Sequence, residues 1–240
     1  MVKTNAQRAI DNFQFLVKKT GNHFKGVTVS SEFSHYTRSL LNDWATNDSD
    51  HRFIKYKRGT VVYVDFGLNI GAELSGPHYA IILDKNDNPT SAKVTVVPLT
   101  SKEGTFNVPL PTGLNKIFGA WYALVGLEHT NEFPSQNEAV ALLFQVIGEK
   151  STNKESKTEN AFMKRINKYQ SENDLIKRRL KKQMDDLEKI SYFKIDNVAT
   201  ISKYRIKKRK DRFDPLGTII VPGPDMDLID KQVVQHILDN

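Results

Sequence analysis

Three polar positions in the sequence have side chains that can transfer a proton or hold an anion. His78 stands directly before the apolar run Tyr79–Leu83, and its imidazole can donate or accept a proton near neutrality because its reference pKa is about 6.5. Lys194 and Asp196 alternate in a predicted strand, so their side chains should share one face and place an ammonium beside a carboxylate. Such a pair suits a base and a phosphate clamp. The alternatives are structural: a histidine held at a strand end, and an ordinary cross-strand ion pair.

Hydroxyl and basic side chains supply further groups that could contact a phosphate. Thr100 and Ser101 follow Pro98, where they could bond a phosphate or only cap a turn. The formal charge of the chain is +7, and most of the excess lies late, in two groups of basic residues. These are Lys164, Arg165, Lys168, Lys177, Arg178, Arg179, Lys181 and Lys182, then Lys203, Arg205, Lys207, Lys208, Arg209, Lys210 and Arg212. The pattern is typical of a phosphate-binding surface, and its alternative is a solvated helix face followed by a charged loop.

The composition excludes several kinds of site. The chain has no cysteine, which rules out disulfides, thiolate nucleophiles and Cys-ligated metals. Its six histidines show no metal-ligand spacing, so we expect no metal and no other cofactor. There is no apolar run of the roughly 18 residues that span a bilayer, and Met1–Asn12 is polar. We therefore expect a cytoplasmic protein without membrane contact.

Short strands should position the candidate residues. Four β-branched or apolar runs bounded by Gly, Pro and Asn predict mostly antiparallel strands: Thr60–Phe66, Tyr79–Leu83, Lys93–Pro98 and Phe106–Leu110. The pattern returns at Ile190–Ile195 and Thr218–Val221. Leu68–Pro77, rich in glycine, predicts a long loop. Consecutive short strands of this kind indicate a small barrel.

Helical periodicity surrounds these strands. Residues 5–19 and the stretch from Phe33 to Trp44, capped by Ser30 and Ser31, predict an N-terminal helix pair whose aromatic stripe packs on the barrel or docks another chain. Further helices are predicted at Leu114–Val125, at Ser135–Gly148 and at Phe162–Leu187, whose near-heptad seam fits a partner helix. Asp225–Ile237 predicts a closing helix. The expected fold class is α+β.

The strand region carries motifs that resemble the MazF/PemK family of toxin endoribonucleases. The first motif comprises Lys57, Arg58, Gly59, Val61, Asp65, Phe66, Gly71, Glu73, Gly76 and Ile81–Leu83. The second is P-L-T-S at Pro98–Ser101, and a third is matched in part by Lys194, Asp196, Asn197, Thr200 and Ile201. The resemblance covers roughly residues 56–111 and 189–240.

The resemblance implies a domain organisation. Residues 53–112 and 189–240 would form a small SH3-like antiparallel β-barrel that ends in a helix. Residues 1–52 would be an N-terminal helical extension, and residues 113–188 a helical insertion that compact family members lack.

The resemblance also implies a function, that of a toxin in a toxin-antitoxin system which cleaves single-stranded RNA without a metal. RNA supplies its own nucleophile, the 2′-hydroxyl, and the products would carry a 2′,3′-cyclic phosphate and a 5′-hydroxyl. The implied catalytic positions are His78, Thr100, Lys194 and Asp196. RNA binding is expected from Arg58, Ser101, Lys102, Lys203, Arg205, Lys207, Lys208 and Arg209. The expected partners are a cognate antitoxin protein and a second copy in a homodimer.

Two positions depart from the family pattern. His78 and Ala199 stand where the family has arginines. A histidine can exchange protons, whereas an arginine chiefly stabilises charge. The alternative function is therefore a non-catalytic barrel that binds nucleic acid, in which lost arginines mean lost chemistry.

Overall fold

The computed structural model describes residues 4–19, 24–46, 52–71, 73–130, 157–186 and 188–238. The chain divides into two compact units. The sheet unit comprises Met1–Val108, Tyr192–Lys208 and Leu216–Asn240, and the helical unit comprises Pro109–Ser191 and Arg209–Pro215. Each unit is described by itself.

The sheet unit is built on short strands rich in β-branched residues. Those in the described ranges are β1 (Val61–Asp65), β2 (Pro77–Ile82), β3 (Lys93–Thr100), β4 (Asn107–Pro109), β5 (Tyr192–Lys194) and β6 (Ala199–Ser202). Their order is β1-β2-β3-β5-β4, and β6 pairs with β3 outside this path. The ladders of β1 with β2, and of β3 with β2, β5 and β6, are antiparallel. β3 is therefore the central strand, and it ends at the candidate residue Thr100.

Both faces of the sheet are covered, which explains the continuous apolar runs in the sequence. Alternate residues of the first three strands share one hydrophobic cluster: Val62, Val64, Ala80, Ile82, Val94 and Val96. Val61, Ile81 and Val97, which point to the opposite face, are fully buried as well. Each such side chain contributes about 1.5–3 kcal/mol when it leaves water. The strand ends that carry polar residues thus project from a rigid core.

The fold prediction is confirmed as far as a mixed helical and antiparallel-sheet protein with N-terminal and C-terminal helices. The described strands do not close into a barrel, so the SH3-like barrel stays a prediction. The predicted strand Thr218–Val221 is confirmed only at Ile220, which forms a single antiparallel bridge with Thr60. Strand β6 was not predicted, since four residues with no apolar run give little signal.

The loop between β1 and β2 is closed by its own hydrogen bonds. The amide of Gly76 donates to Gly67 O at 2.7 Å, and the amide of Phe66 donates to Gly76 O at 3.0 Å. Gly67 and Gly76 have φ of 73° and 80°, a region that strongly favours glycine. Inside the loop, Asn69 Nδ2 donates to Leu74 O at 2.6 Å. The loop therefore fixes the start of β2, where His78 lies.

The two N-terminal helices are α1 (Asn5–Lys19) and α2 (Phe24–Thr46). The prediction for α1 is confirmed, whereas α2 begins well before the predicted caps, so Ser30 and Ser31 lie inside the helix. The helices meet at Phe13 and Phe33, whose ring centroids are 4.9 Å apart. The expected burial of the aromatic stripe on the sheet is not found, because Phe33, Tyr36, Leu40, Leu41 and Trp44 are about half exposed or more.

The helical unit contains α3 (Leu114–Thr130) packed against α4 (Lys157–Asp185). Gly119 and Gly126, which weaken the helical pattern of α3 in the sequence, lie where α4 comes close. A Cβ at Gly126 would meet Ile176 Cγ2 at 3.6 Å, and one at Gly119 would meet Gln183 Cβ at 3.9 Å. The predicted seam of α4 is thus used within the chain at Ile176. The predicted helix Ser135–Gly148 lies outside the described residues.

A closing helix, α5 (Gly223–Leu238), follows Pro222 and confirms the predicted one. Arg58 joins it to the sheet, because its guanidinium donates both to Leu83 O and to Asp230 on α5. Within the described parts of the chain, no helix is long and apolar enough to cross a membrane.

Candidate active site

Strand register brings three of the four catalytic candidates to one face of the sheet. Thr100 pairs with Tyr192, and Lys194 lies two residues further along β5, so the side chains of Thr100 and Lys194 share a face. His78 and Thr100 lie two residues beyond the last recorded β2–β3 pair, Ala80 with Pro98. The same alternation therefore puts His78 on that face, at the same end of the ladder.

The fourth candidate, Asp196, reaches this group by a different route from the predicted one. Strand β5 ends at Lys194, and Asp196 lies in a 3₁₀ turn, Ile195–Asn197. The prediction that both residues alternate in one strand is therefore wrong. Their side chains nevertheless meet, with Lys194 Nζ 3.5 Å from Asp196 Oδ1. The pair is partly shielded, since the two side chains are 20% and 31% exposed.

Asn107 joins this ion pair to the turn that follows Thr100. Its Oδ1 accepts a hydrogen bond from Lys194 Nζ at 3.2 Å, and its Nδ2 donates to Lys102 O at 2.9 Å. Gly104 makes room for the amide, because a Cβ at Gly104 would lie only 2.8 Å from Asn107 Nδ2. Sequence reasoning missed Asn107; its only signal was a polar residue within the predicted strand Phe106–Leu110.

The hydroxyl of Thr100 has a local partner. Thr100 Oγ1 accepts the amide of Lys102 at 3.2 Å, which is the turn-capping arrangement anticipated as its structural alternative. That bond uses an acceptor position and leaves the hydroxyl proton available to an anion. Ser101 and Lys102 are exposed beside it. The turn can therefore offer two hydroxyls and an ammonium to a phosphate.

His78 is half-buried and held by one ring nitrogen. Its Nε2 lies 3.2 Å from Ser75 O. A carbonyl oxygen only accepts, so Nε2 carries the proton in this contact and Nδ1 is the ring atom at which a second proton can be exchanged. Phe66 packs edge-on, with its ring centroid 6.3 Å from that of the imidazole. The position suits either proton transfer or a structural role.

Lys203, one of the predicted RNA-binding residues, is buried. It is 6% exposed, and its Nζ contacts Asp87 Oδ1 at 2.7 Å, Ile54 O at 3.1 Å and Asn88 O at 3.1 Å. Asp87 Oδ2 also accepts the amide of Tyr56 at 2.7 Å. Burial, with a smaller effect from the Asp87 carboxylate, raises the pKa of Tyr56 to about 12. The ammonium of Lys203 is thus fully used inside the fold.

Of the other predicted RNA-binding residues, some donate hydrogen bonds to the protein, as Lys203 does, and some are exposed. Arg58 joins the sheet to α5, and Arg205 donates to Phe66 O at 2.6 Å. In the helical unit, Arg209 donates to Asp214 O at 2.9 Å and to Arg212 O at 2.8 Å. Lys207 and Lys208 are exposed; Lys207 Nζ lies 3.7 Å from Asp65 Oδ2 and 5.5 Å from the centroid of the Tyr63 ring.

A cavity of about 440 Å³ in the sheet unit lies apart from this chemistry. It is lined by residues of α2 together with Asp65, Gly67 and five positions between Ser202 and Lys207. None of the four catalytic candidates lines it. The candidate site is therefore assigned from side-chain chemistry rather than from concavity. Among the described residues, no three His, Asp or Glu side chains are grouped as metal ligands would be.

A family model matches part of the chain. A search of curated proteins finds no match to the chain. Residues 57–130, less than half of the chain, match the family model described as PemK-like, MazF-like toxin of type II toxin-antitoxin system. The matched segment contains β1 to β4 and continues through α3. The match supports the resemblance to the MazF/PemK toxins that the motifs around Lys57 and Pro98 indicated.

Proposed function

We propose that the protein is the toxin of a type II toxin-antitoxin system and acts as a metal-independent endoribonuclease on single-stranded RNA. The observation that carries the proposal is the group formed by Thr100, Asn107, Lys194 and Asp196, with His78 at the same end of the sheet. The family match over residues 57–130 supports the biological setting. The finer SH3-like barrel, and the division into a barrel interrupted by a helical insertion at 113–188, belong to this proposal.

The proposed reaction is an internal transesterification. Asp196 takes the proton of the 2′-hydroxyl, whose oxygen then forms a bond to the adjacent phosphorus while the bond from phosphorus to the 5′ oxygen breaks. His78 gives the leaving 5′ oxygen a proton from Nδ1. Lys194 and the Thr100 hydroxyl stabilise the charge on the phosphate oxygens. The products carry a 2′,3′-cyclic phosphate and a 5′-hydroxyl, and every transferred proton has a named source.

The RNA-binding part of the proposal is narrower than the predicted set. Ser101, Lys102, Lys207 and Lys208 are exposed and can reach a phosphate. Arg58, Lys203, Arg205 and Arg209 hold backbone or carboxylate oxygens of the protein. We assign these four to the architecture of the fold. Their removal should lower stability before it lowers RNA affinity.

The test is cleavage of a long mixed-sequence RNA by the purified full-length protein. We expect cleavage to persist in excess EDTA, and to stop when a single 2′-deoxy nucleotide replaces the residue at the cut site. End mapping should give 5′-hydroxyl fragments. Inhibition by EDTA, or fragments with 5′-phosphates, would contradict the mechanism.

The second candidate is a non-catalytic protein that binds nucleic acid. It is favoured by the replacement of two family arginines by His78 and Ala199. The same assay separates the two candidates, because this one predicts RNA binding with no fragments at any protein concentration.

Two partners complete the proposal: a cognate antitoxin and a second copy of the chain in the cytoplasm. The seam of α4 contributes less to a dimer than its sequence suggests, since Ile176 is 2% exposed within a single chain. The dimer should instead use the sheet unit and α5. Sedimentation at micromolar concentration should show a dimer, and a strictly monomeric profile would count against it.

A further inference from the structure

A second concave site lies within the helical unit, in residues to which the proposed cleavage assigns no role. It is a cavity of about 280 Å³ formed by α3, α4 and the segment Arg209–Pro215. The residues that line it are His129, Arg165, Lys168, Tyr169, Glu172 and Arg212. We refer to it as the helical-unit pocket.

Aromatic rings form one side of the helical-unit pocket. His129 is 2% exposed, and its ring stacks on that of Tyr169 with centroids 4.7 Å apart. Its Nε2 lies 3.5 Å from Tyr169 O, and its Nδ1 lies 3.5 Å from a terminal nitrogen of Arg212. A carbonyl accepts and a guanidinium donates, so both ring nitrogens have partners of the right kind. This side of the pocket is therefore fixed before any ligand arrives.

One cation of the pocket is fixed in the same way. Arg212 donates to Glu172 Oε2 at 2.6 Å, and its guanidinium lies over the Phe213 ring, 4.4 Å from the centroid. The single negative charge of Glu172 is thereby matched by the positive charge of Arg212. A charge-assisted hydrogen bond of this length orders both side chains. Any further cation at the pocket is in excess of what the carboxylate needs.

Two further cations are present. Arg165 and Lys168 lie seven and four residues before Glu172 on α4, at spacings that put the three side chains on one face of the helix. Lys168 Nζ is 4.0 Å from Glu172 Oε1, and its side chain is 71% exposed. Arg165 makes no hydrogen bond or ion pair with any other residue that the structure describes. The pocket therefore gathers three cationic side chains around one carboxylate.

We propose that the helical-unit pocket binds a phosphate group of the RNA backbone other than the one that is cleaved. Excess cationic side chains on a flat helix face would only be solvated. Here they line a cavity with ordered walls, which an oxyanion can enter. That the phosphate belongs to RNA rests on the proposed function. Phosphate recognition by itself follows from the charges and the cavity.

The test compares two double variants of the full-length protein. Arg165→Gln with Lys168→Gln removes two charges from the pocket, and Lys181→Gln with Lys182→Gln removes two exposed charges about 24 Å along the same helix. The probe is a single-stranded RNA with 2′-O-methyl groups throughout, which cannot be cleaved. Its Kd is measured across a salt series.

The slope of RNA affinity against salt concentration decides between the proposal and its alternatives. For single strands the slope of log K against log salt is about −0.7 per neutralised phosphate. The pocket variant should therefore lose about 0.7 to 1.4 of slope, while the control variant changes by less than half as much. Equal losses in both variants would mean a diffuse basic field, and no loss in the pocket variant would mean no phosphate contact. Either outcome overturns the proposal.

A second arm separates RNA from small phosphates. Inorganic phosphate is titrated against both variants and the unchanged protein, and binding is followed by thermal melting. If millimolar phosphate stabilises the unchanged protein but not the pocket variant while RNA binding is the same in both, the pocket serves a small phosphate compound and the RNA assignment is overturned. The RNA probe cannot be cut, so the pocket test does not depend on nuclease activity. If the protein cleaves no RNA but the pocket variant loses the expected salt slope, the proposed function is refuted and the pocket proposal stands.

Discussion

His78 and Asp196 are the two side chains that transfer protons in the proposed reaction, and among the described residues each has one polar contact. His78 is held through Nε2 on Ser75 O, and Asp196 through its ion pair with Lys194. His78→Ala and Asp196→Asn should each lower the cleavage rate on the order of a hundredfold or more, because proton transfer contributes roughly that much. Thr100→Ala should cost less, since it removes one hydrogen bond to the phosphate. Rates at saturating RNA measure the effect.

Two controls separate a loss of catalysis from the mere loss of a charge and from a loss of RNA binding. Asp227→Asn removes a carboxylate from the exposed surface of α5 and should leave the rate unchanged. Affinity for a strand with one 2′-deoxy nucleotide at the cut site should be nearly the same in His78→Ala, Asp196→Asn and Asp227→Asn as in the unchanged protein. Full-rate cleavage by both His78→Ala and Asp196→Asn would show that the site is on other residues.

Tyr56 gives the protein a pH dependence at its alkaline limit. Its pKa is raised to about 12 in the folded protein, against about 10 in an unfolded chain. Between these values the folded state keeps a proton that the unfolded state has lost, so stability falls as pH rises from about 10 to 12. Denaturant midpoints over this range should fall less steeply for Tyr56→Phe, which has no phenolic proton. An identical pH slope in the two proteins would contradict this account.

The candidate site shows which residue-level features a sequence can reveal. His78, Thr100, Lys194 and Asp196 are candidates chosen from their types and motif positions, and their catalytic role stays a prediction. The Lys194–Asp196 contact is present, although the premise that both lie in one strand was wrong. Asn107 was missed because its role depends on a turn that brings Lys102 and Lys194 to the two ends of one amide. Lys203 was misjudged because a basic run does not show which of its members is turned inward onto Asp87.

Helices and strands could be predicted from the local sequence pattern where their formation depends little on residues far away in the chain. Helix α1 and strands β1 to β3 follow from periodicity and β-branched runs. Strand β6 exists through its pairing with β3, in which Thr95 faces Thr200 and Val94 faces Ile201. That pairing joins residues about a hundred positions apart, so no window along the chain contains it. The early start of α2 was missed because it contains Gly26 and the β-branched run Val27–Val29, which have low helix propensity.

Within the helical unit, Arg179 fixes α4 to the segment Arg209–Pro215. Its two terminal nitrogens bond the two oxygens of Asp211 at 2.8 and 2.6 Å, and one of them also bonds Phe213 O at 2.7 Å. Arg179→Ala should destabilise this unit by about 1–2 kcal/mol, because a bidentate charged contact that is partly exposed is worth that much. The neighbouring and exposed Arg178→Ala is the matched control, with an expected change near zero.

The readout can be confined to this unit. Trp121 lies in α3, so its fluorescence in a Trp44→Phe background reports unfolding of the helical unit alone. The interaction also depends on pH, because hydrogen bonds from Arg179 lower the pKa of Asp211. The pair therefore stabilises the folded protein fully above the pKa of an unfolded aspartate, about 3.9, and this stabilisation is lost as pH falls below that value. The difference between Arg179→Ala and the unchanged protein should therefore shrink in acid. Equal destabilisation by Arg178→Ala would point to helix propensity instead.

Across the whole molecule, net charge is a poor guide to where RNA binds, because many of the basic side chains are already used. Lys203, Arg205 and Arg209 donate hydrogen bonds to oxygens of the protein. Lys207, whose Nζ lies 3.7 Å from Asp65 Oδ2, and Lys208 are the exposed residues of the predicted RNA-binding set between Lys203 and Arg209 whose side chains make no such hydrogen bond among the described residues. Replacing this pair by Gln should reduce the salt slope of RNA binding by about 0.7 per phosphate lost. Lys18→Gln with Lys19→Gln removes the same charge from the end of α1 and should leave the slope unchanged. If the Lys207 and Lys208 variant keeps the original slope, the segment is a solvated surface, and RNA must be bound by Ser101, Lys102 and the helical-unit pocket without it.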